Sequence, residues 1–318
     1  MSLRDLLHTD PAAPPGVEGR LPSLDGATGW LNSEPLTMQG LLGSVVLVQF
    51  WTYTCINWLR TLPYVRAWAE RYANQGVVVL GVHTPEFPFE HDLDNVRREV
   101  KELRVDYPVA LDDDYEIWQA FGNRYWPALY VVDAEGQIRH HRFGEGDYER
   151  TEEVVQQLLG ISGDPVFVEA DGVEAAADWD TLGSPENYLG YERTDNFESE
   201  GAAALSLNHW ALAGDWTVER GLTVLNEAGG AISYRFHARD LNVVMGPAAR
   251  GSSVPFRVTL DGQQPGAAHG VDVDEQGNGT VGEQRLYQLI RQPDRVTDRT
   301  FEITFLAPGV EAYAFTFG

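Results

Sequence analysis

The residue in this sequence with the clearest capacity for chemistry is Cys55, the only cysteine in the chain. It follows an apolar β-branched run, 45–48, which predicts a buried strand. A stretch with helical periodicity comes after it. A thiol at the first turn of a helix faces unpaired backbone N–H groups and the positive end of the helix dipole, and both favour the thiolate. The pattern therefore predicts a nucleophilic cysteine at a strand-to-helix junction, in preference to an inert buried thiol.

The stretch after Cys55 has the pattern of an amphipathic helix that ends near Tyr72. Its apolar residues recur at three- and four-residue spacings: Leu59, Leu62, Val65, Ala69 and Tyr72. Pro63 lies inside this helix, where it removes a backbone hydrogen bond and bends the axis. The elements that position Cys55 are thus predicted to be a buried strand and a bent helix.

These features together resemble the thioredoxin superfamily. Trp51 stands four residues before the cysteine, the cysteine opens the helix, and Pro63 follows eight residues later. The superfamily pattern has a second, resolving cysteine three residues after the first, and here that position is Trp58. The resemblance therefore implies a single-thiol redox protein, in which an external thiol must release any mixed disulfide. Packing of Trp58 in the helix is compatible with the same conclusion.

The order of predicted elements agrees with this resemblance over 21–163. After the cysteine helix we predict strands at 77–82, 108–111, 128–133 and 138–143, and helices at 94–103, 115–121 and 152–159. This is an α/β thioredoxin fold with an inserted α-β segment, typical of TlpA- and ResA-like redoxins. The segments FWTYTCIN, LRTLPYVRAW, GVHTPEF, YWPALYVVD and HHRFGEGDYE resemble the soluble part of DipZ-type proteins.

The resemblance also implies which residues surround the thiol. Pro127 is implied to be cis and to lie beside Cys55, with Trp126 before it as an apolar wall. Glu86 is implied to handle protons near the site, although an exposed loop carboxylate would give the same letter, and His83 is a second such candidate. The remaining implied substrate-binding residues stand next to the thiol in sequence: Trp51, Ile56 and Asn57.

Two other functions are compatible with one cysteine. The thioredoxin scaffold could have lost its redox role and, with the second domain, bind a glycan or a protein. A one-cysteine peroxidase is also possible, because Thr52 and Cys55 form the T-x-x-C pattern of peroxiredoxins. Val48 stands where that family has a proline, however, and Pro127 where it has an arginine, for which Arg60 or Arg124 would have to substitute.

The second half of the chain changes character. After a predicted linker at 164–185, residues 186–318 contain short alternating strands separated by turn residues, which indicates a β-sandwich. The clearest strands are at 231–237, 254–260, 285–290, 300–306 and 313–317. This half resembles the carbohydrate-binding-module-like jelly roll of DipZ-type proteins, so a glycan is a possible partner. Trp179, Tyr188 and Tyr191 lie near its start, which favours their burial at a domain junction over a sugar-binding platform.

A calcium loop is the one metal site that the sequence suggests. Asp272, Asp274, Gly277 and Glu283 match positions 1, 3, 6 and 12 of the EF-hand template. A glycine-rich hairpin would give the same letters, so we predict no metal site. His140 and His141 are adjacent in a strand and point to opposite faces, which excludes a shared metal. We expect no cofactor.

Composition limits the remaining possibilities. The 318-residue chain carries a formal charge of −25, which disfavours nucleic acid as a partner. No apolar run is long enough for a transmembrane helix. Residues 1–20 are predicted to be flexible, and they lack the basic-then-apolar pattern of a leader. We therefore expect a cytoplasmic protein, or an extracytoplasmic one if a leader or anchor has been removed. The partners expected are protein or low-molecular-weight thiols and disulfides.

Overall fold

The computed structural model describes residues 15–170, 174–198 and 205–318. The chain divides into two compact units, Met1–Ala175 and Ala176–Gly318. The division falls inside the segment 164–185 that the sequence predicts as a linker. Most of the predicted flexible segment 1–20 lies outside the described residues.

The N-terminal unit is built on one seven-stranded mixed sheet. Its strands are β1 (Gly19–Arg20), β2 (Gly29–Leu31), β3 (Val45–Trp51), β4 (Val77–His83), β5 (Val109–Leu111), β6 (Ala128–Val132) and β7 (Gln137–Phe143). Their order across the sheet is β1-β7-β6-β3-β4-β5-β2. β3 is buried along its whole length, as expected for a central apolar strand, and it pairs in parallel with β4 and antiparallel with β6. Gly19–Arg20 pairs with β7, so the end of the predicted flexible segment forms an edge strand.

Five helices accompany this sheet in the described part of the unit. They are α1 (Met38–Leu41), α2 (Ile56–Tyr72), α3 (Leu93–Glu102), α4 (Glu116–Ala120) and α5 (Tyr148–Leu158). The thioredoxin fold with its inserted α-β segment is confirmed. α5 begins four residues before its predicted start. The prediction missed its first turn because that turn is polar and shows no apolar periodicity. Val154 and Val155 contribute to the buried face of the helix.

The segment after α5 is tied to the N-terminal unit. The buried Glu152 carboxylate accepts hydrogen bonds from the Tyr72 hydroxyl (2.6 Å) and from the Val168 backbone N–H (2.8 Å). The Gln156 side-chain amide donates to the Val166 carbonyl (2.8 Å). A buried carboxylate needs hydrogen-bond donors, and Val168 provides one of them to Glu152 of α5.

The C-terminal unit contains strands in two sheets. They are β8 (Asn187–Tyr188), β9 (Phe197–Glu198), β10 (Trp210–Ala213), β11 (Trp216–Val218), β12 (Thr223–Leu225), β13 (Ala231–Phe236), β14 (Asp240–Pro247), β15 (Val254–Leu260), β16 (Asn278–Val281), β17 (Arg285–Arg291), β18 (Arg299–Phe305) and β19 (Val310–Phe317). One sheet has the order β16-β15-β18-β13-β10-β9, the other β11-β12-β19-β14-β17, with β8 beside β19. Residues of both sheets share one apolar core. The predicted β-sandwich is confirmed, and its jelly-roll connectivity stays a prediction.

Across the described residues, none of the helices combines the length and the apolar character needed to span a bilayer.

Candidate active site

Cys55 stands at the point where the strand β3 gives way to the helix α2. It is the N-cap residue of α2, with an extended backbone (φ −77°, ψ 110°), and its carbonyl accepts the first helical hydrogen bond from Leu59 N–H (3.0 Å). The side chain is half-buried. The thiol donates to the backbone carbonyl oxygen of Trp126 at 3.6 Å. The predicted position at a helix N-terminus is therefore observed.

The Trp126–Pro127 segment forms the opposite side of the site. The peptide bond between these residues is cis, as the sequence resemblance predicts, and Pro127 is buried directly before β6. The Trp126 indole N–H donates to the Thr84 carbonyl (3.0 Å), and its ring packs against Trp118 at 4.2 Å between centroids. Three chain segments thus converge on Cys55: the turn after β3, the segment after β4 and the segment before β6.

Trp58 fills the helix position that a resolving thiol would occupy. Its side chain is fully buried, stacks on Trp51 with ring centroids 4.3 Å apart, and donates from Nε1 to Gln49 Oε1 (3.2 Å). Gly81 makes room for this pair, because a Cβ there would lie 2.7 Å from Trp51 Nε1 and 3.1 Å from the Tyr107 ring. Trp51 is also fully buried. The prediction that its ring contacts a substrate is corrected: Trp51 is a core residue behind the cysteine turn.

Ile56 and Asn57, the other predicted substrate-binding residues, lie in the first turn of α2. Ile56 is buried. Asn57 is half-buried, and its side-chain oxygen accepts from the Arg60 guanidinium at 3.3 Å. Arg60 is itself buried; it donates to the Ala175 carbonyl (3.0 Å) and approaches Glu145 Oε1 at 3.7 Å. Their role in binding stays a prediction.

The carboxylate most closely tied to the cysteine turn is Glu90, which the sequence reasoning missed. Glu86, the predicted proton-handling residue, is half-buried in the segment after β4, and its role stays a prediction. Glu90 is fully buried, and it accepts from the Thr54 hydroxyl (2.6 Å), from Glu86 N–H (2.6 Å) and from Phe87 N–H (2.9 Å). Burial raises the pKa of Glu90 to about 7. The one available signal was a glutamate three residues after the N-cap position of a short helical turn, from which the Glu90 carboxylate accepts the Phe87 N–H.

His83 lies in the core rather than at the site surface. Its ring is fully buried, with Trp51 at 4.9 Å and Tyr53 at 6.0 Å between centroids. Burial lowers the pKa of His83 to about 3, so the imidazole is neutral. Neither ring nitrogen has a hydrogen-bond partner among the described residues. A neutral ring enclosed in this way is not placed to exchange protons with a substrate.

Comparison with known proteins identifies the N-terminal unit. Residues 20–141 match the AhpC/TSA family. The chain is 31% identical over 140 residues to the thiol-disulfide oxidoreductase YkuV of Bacillus subtilis, an alignment that covers 44% of this chain and 93% of YkuV. The chain belongs to the thioredoxin-like thiol-disulfide oxidoreductase family.

The similarity to a second relative extends over both units. Protein DipZ of Mycobacterium bovis is 33% identical over 316 residues, which is 94% of this chain. The chain spans 43% of the length of that DipZ protein. Residues 184–318 match a thioredoxin-like C-terminal domain family. A thioredoxin-like protein solved in solution in its oxidized form is 29% identical, with a TM-score of 0.42, over 46% of this chain and 97% of its own.

An exposed aromatic pair flanks the proline segment. Tyr125 is 52% exposed and Phe143 is 39% exposed, and their ring centroids are 5.0 Å apart. Tyr125 directly precedes Trp126, and Phe143 pairs with Ala128 across the β6–β7 ladder. The sequence analysis did not identify this pair, because exposure of two aromatic rings cannot be read from their local pattern.

The suggested calcium loop is a turn-and-hairpin segment held by protein groups. Arg285 donates to both oxygens of Asp272 (2.6 and 3.2 Å), and Asp274 accepts from Asn278 N–H (2.7 Å). No group of three or more His, Cys, Asp or Glu side chains within the described residues is placed to hold a metal ion. Two of the carboxylates that matched the template, Asp272 and Asp274, are engaged in internal contacts.

The aromatic residues at the start of the C-terminal unit are not uniformly buried. Trp179 is 57% exposed and Tyr191 is 65% exposed, and their burial at a domain junction stays a prediction. Both belong to turns that make backbone contacts and leave the rings outside: the Thr181 N–H donates to Asp178, and the Tyr191 N–H to Glu219. Tyr188 is half-buried beneath the Arg193 guanidinium, 3.4 Å from its ring centroid.

Proposed function

We propose that this protein exchanges thiols and disulfides through Cys55 alone and that an external thiol completes each cycle. The observation that carries the proposal is the contrast between two positions of α2. Cys55 is half-buried at the helix N-terminus beside the Trp126 carbonyl. Trp58, where a second thiol would stand, is a fully buried core residue. The first half of the family reaction is therefore supported, and the second must use another molecule.

The proposed reaction has two exchange steps. The Cys55 thiolate attacks one sulfur of a substrate disulfide, a bond forms between that sulfur and Cys55 Sγ, and the other substrate sulfur leaves as a thiolate. An external thiolate then attacks the substrate sulfur of this mixed disulfide, so that Cys55 leaves as a thiolate and a new disulfide forms. Each step breaks one S–S bond and makes one, so no other oxidant or reductant is needed.

Two features support a polypeptide as the disulfide substrate. The backbone segment before cis-Pro127 lies against the Cys55 thiol, where an extended peptide can pair with it. The exposed Tyr125 and Phe143 rings provide apolar surface next to this segment. Low-molecular-weight thiols suit the resolving step, since they need only reach the sulfur.

The proposal is tested by trapping the mixed disulfide. The full chain, with Cys55 reduced, is mixed with native disulfide-bonded insulin in the absence of any other thiol. Non-reducing mass spectrometry follows the products. We expect a covalent adduct at Cys55 that persists until glutathione is added, and no adduct with Cys55→Ser. Release of insulin chains without added thiol, or absence of the adduct, would contradict the proposal.

The match to the AhpC/TSA family favours one second candidate, peroxide reduction at Cys55. The buried Thr52 of the T-x-x-C pattern stands in the same turn. Arg60, one arginine considered for a peroxidase site, is engaged by Asn57, Ala175 and Glu145 instead. Hydrogen peroxide consumption with glutathione as reductant distinguishes the two functions, because disulfide exchange alone consumes no peroxide.

A further inference from the structure

The exchange mechanism leaves one buried titratable group next to the nucleophile unexplained. Glu90 lies in the short helical turn Pro88–His91 and is fully buried. Its Oε1 accepts from the hydroxyl of Thr54, which directly precedes Cys55 and is itself buried. Its Oε2 accepts from the backbone N–H groups of Glu86 and Phe87. A single carboxyl therefore joins the turn that carries Cys55 to the segment after β4.

This junction is part of a closed ring of contacts around the thiol. From Glu90 the ring runs back along the chain to Thr84, whose carbonyl accepts from the Trp126 indole. The carbonyl of Trp126 in turn accepts from the Cys55 thiol. Cys55 follows Thr54, which returns to Glu90. The turn that carries Cys55 is thus held on one side by the Glu90–Thr54 hydrogen bond and on the other by the Cys55–Trp126 contact. A change in the first contact therefore acts on this turn.

The hydrogen-bond partners of the two Glu90 oxygens differ in how they can respond to a proton. Oε2 faces two backbone N–H donors, which cannot become acceptors, so the proton is placed on Oε1. Oε1 faces a hydroxyl, which can act either as donor or as acceptor. The hydroxyls of Thr54 and Thr52 both act on Glu90. The hydrogen bond of 2.6 Å is the one to Thr54, and a proton on Oε1 reverses that hydrogen bond, so that the Thr54 hydroxyl hydrogen turns to another direction.

Charged and titratable groups around this pair are mainly acidic. Those that act on Glu90 or on the adjoining Tyr53 phenol are Glu86, Asp92, Arg98 and Glu99. Burial is the largest cause that raises the pKa of Glu90, to about 7, and Glu86 adds to it. Both protonation states are therefore populated near neutral pH.

We propose that Glu90 is a positioning residue for Cys55: its protonation reverses the hydrogen bond to Thr54 and thereby changes how the turn presents the thiol. This inference rests on the proposed function only in that Cys55 is the reactive group. It differs from the role that the family resemblance implies for Glu86, which is half-buried and takes part through its backbone N–H.

The test uses the rate at which iodoacetamide alkylates the full chain, measured against pH. Because Cys55 is the only cysteine, the rate reports on this thiol alone. We expect the ionisation of the thiol and, in addition, a second inflection at about pH 7, with a change of about fivefold, the effect of one hydrogen bond. Glu90→Gln and Thr54→Val remove the second inflection. Glu102→Gln, an equal charge change at an exposed position of α3, retains it.

A profile that fits a single ionisation in the wild-type protein would overturn the inference. So would a second inflection that survives in both Glu90→Gln and Thr54→Val, or one that Glu86→Gln removes and Glu90→Gln does not. Thermal unfolding shows whether each variant is folded. Carboxyl NMR of wild-type protein labelled at glutamate gives a measurement that needs no variant: a side-chain resonance must titrate near pH 7, and its absence counts against the proposal.

These measurements separate this inference from the proposed function. Alkylation requires a reactive thiol but no disulfide exchange, so a chain that forms no insulin adduct can still show the second inflection. Conversely, a normal adduct with a single-ionisation profile removes the role of Glu90 and leaves the exchange function intact.

Discussion

At the scale of single residues, the exchange of a resolving cysteine for Trp58 has two separable consequences. The thiol is lost, and a large apolar side chain is gained in the core, where Trp58 stacks on Trp51 and donates to Gln49. A cysteine at this position is therefore expected to increase the redox activity and to decrease the stability.

We expect Trp58→Cys to raise the rate of insulin reduction with dithiothreitol, because the remaining parts of the dithiol site are present. The same change leaves a cavity beside Trp51, and we expect it to lower the free energy of unfolding by about 3–5 kcal/mol. Insulin turbidity and urea unfolding measure the two effects. Trp58→Phe is the matched control, which retains a ring and should show no gain in reduction. A Trp58→Cys variant that stays folded without any gain would show that the surrounding site no longer supports dithiol exchange.

His83 gives a second prediction at this scale. The unfolded chain protonates histidine near its ordinary pKa of 6.5, whereas burial holds the pKa of His83 at about 3 in the folded state. The unfolded state thus binds more protons below pH 6.5, and stability falls as the pH decreases toward 3. We expect His83→Phe to be more stable than wild type, by a margin that grows by about 2 kcal/mol between about pH 7 and about pH 5. Urea unfolding at both pH values checks this, and a constant margin would contradict it.

At the scale of elements, the sequence was most informative where apolar periodicity is strong. The central strand β3 and the helix α2 follow directly from the run at 45–48 and from the spacing of Leu59, Leu62 and Val65. β14 was not predicted, although it is buried throughout, because Asn242, Gly246 and Pro247 interrupt its alternation.

Only those site residues whose positions follow from the order of strands and helices could be predicted from the sequence. Cys55 and Pro127 occupy positions that the fold fixes, and both were identified. Glu90 was not, because its burial depends on contacts with Thr54, 36 positions away in the chain, and a carboxylate among loop residues is normally exposed. Trp51 was named as a substrate-binding residue because it stands near the thiol in sequence, but its ring is fully buried in the core.

Glu152 on α5 provides a prediction at the element scale. Its carboxylate joins Tyr72 of α2 to the backbone of Val168. We expect Glu152→Ala to release residues 163–170, so that limited chymotrypsin digestion followed by mass spectrometry shows faster cleavage near Phe167. Glu153→Ala, one position along the same helix and paired only with Arg150 among the described contacts, is the matched control. Equal cleavage of both variants would rule out this anchoring.

At the scale of the whole molecule, the contacts of 166–175 bear on where the redox unit ends. The sequence placed that end at 163, whereas the described hydrogen bonds to Val166, Val168 and Ala175 all come from the N-terminal unit. We propose that residues 164–175 belong functionally to that unit, and that the linker is correspondingly shorter than 164–185.

Two fragments test this boundary. We expect the fragment 15–175 to unfold at higher urea concentration than the fragment 15–163, because only the longer one contains Val168, Val166 and Ala175, which add hydrogen bonds to Glu152, Gln156 and Arg60. The expected difference is about 2–4 kcal/mol, the sum of a few hydrogen bonds to buried groups. Equal unfolding midpoints and slopes would place the boundary at 163.

The glycine that accommodates the tryptophan pair carries a consequence for the history of the chain. Trp51 approaches position 81 so closely that a methyl group there would lie 2.7 Å from its indole nitrogen. Trp58 stacks on the Trp51 ring system with centroids 4.3 Å apart, and both side chains are fully buried. Any ancestor with a side chain at 81 would have had to lose it before the tryptophan at 58 could become established, and a descendant that regains one must first shorten residue 58. The order of substitutions at these two sites is therefore constrained, and reconstructed ancestors should carry Gly81 wherever they carry Trp58.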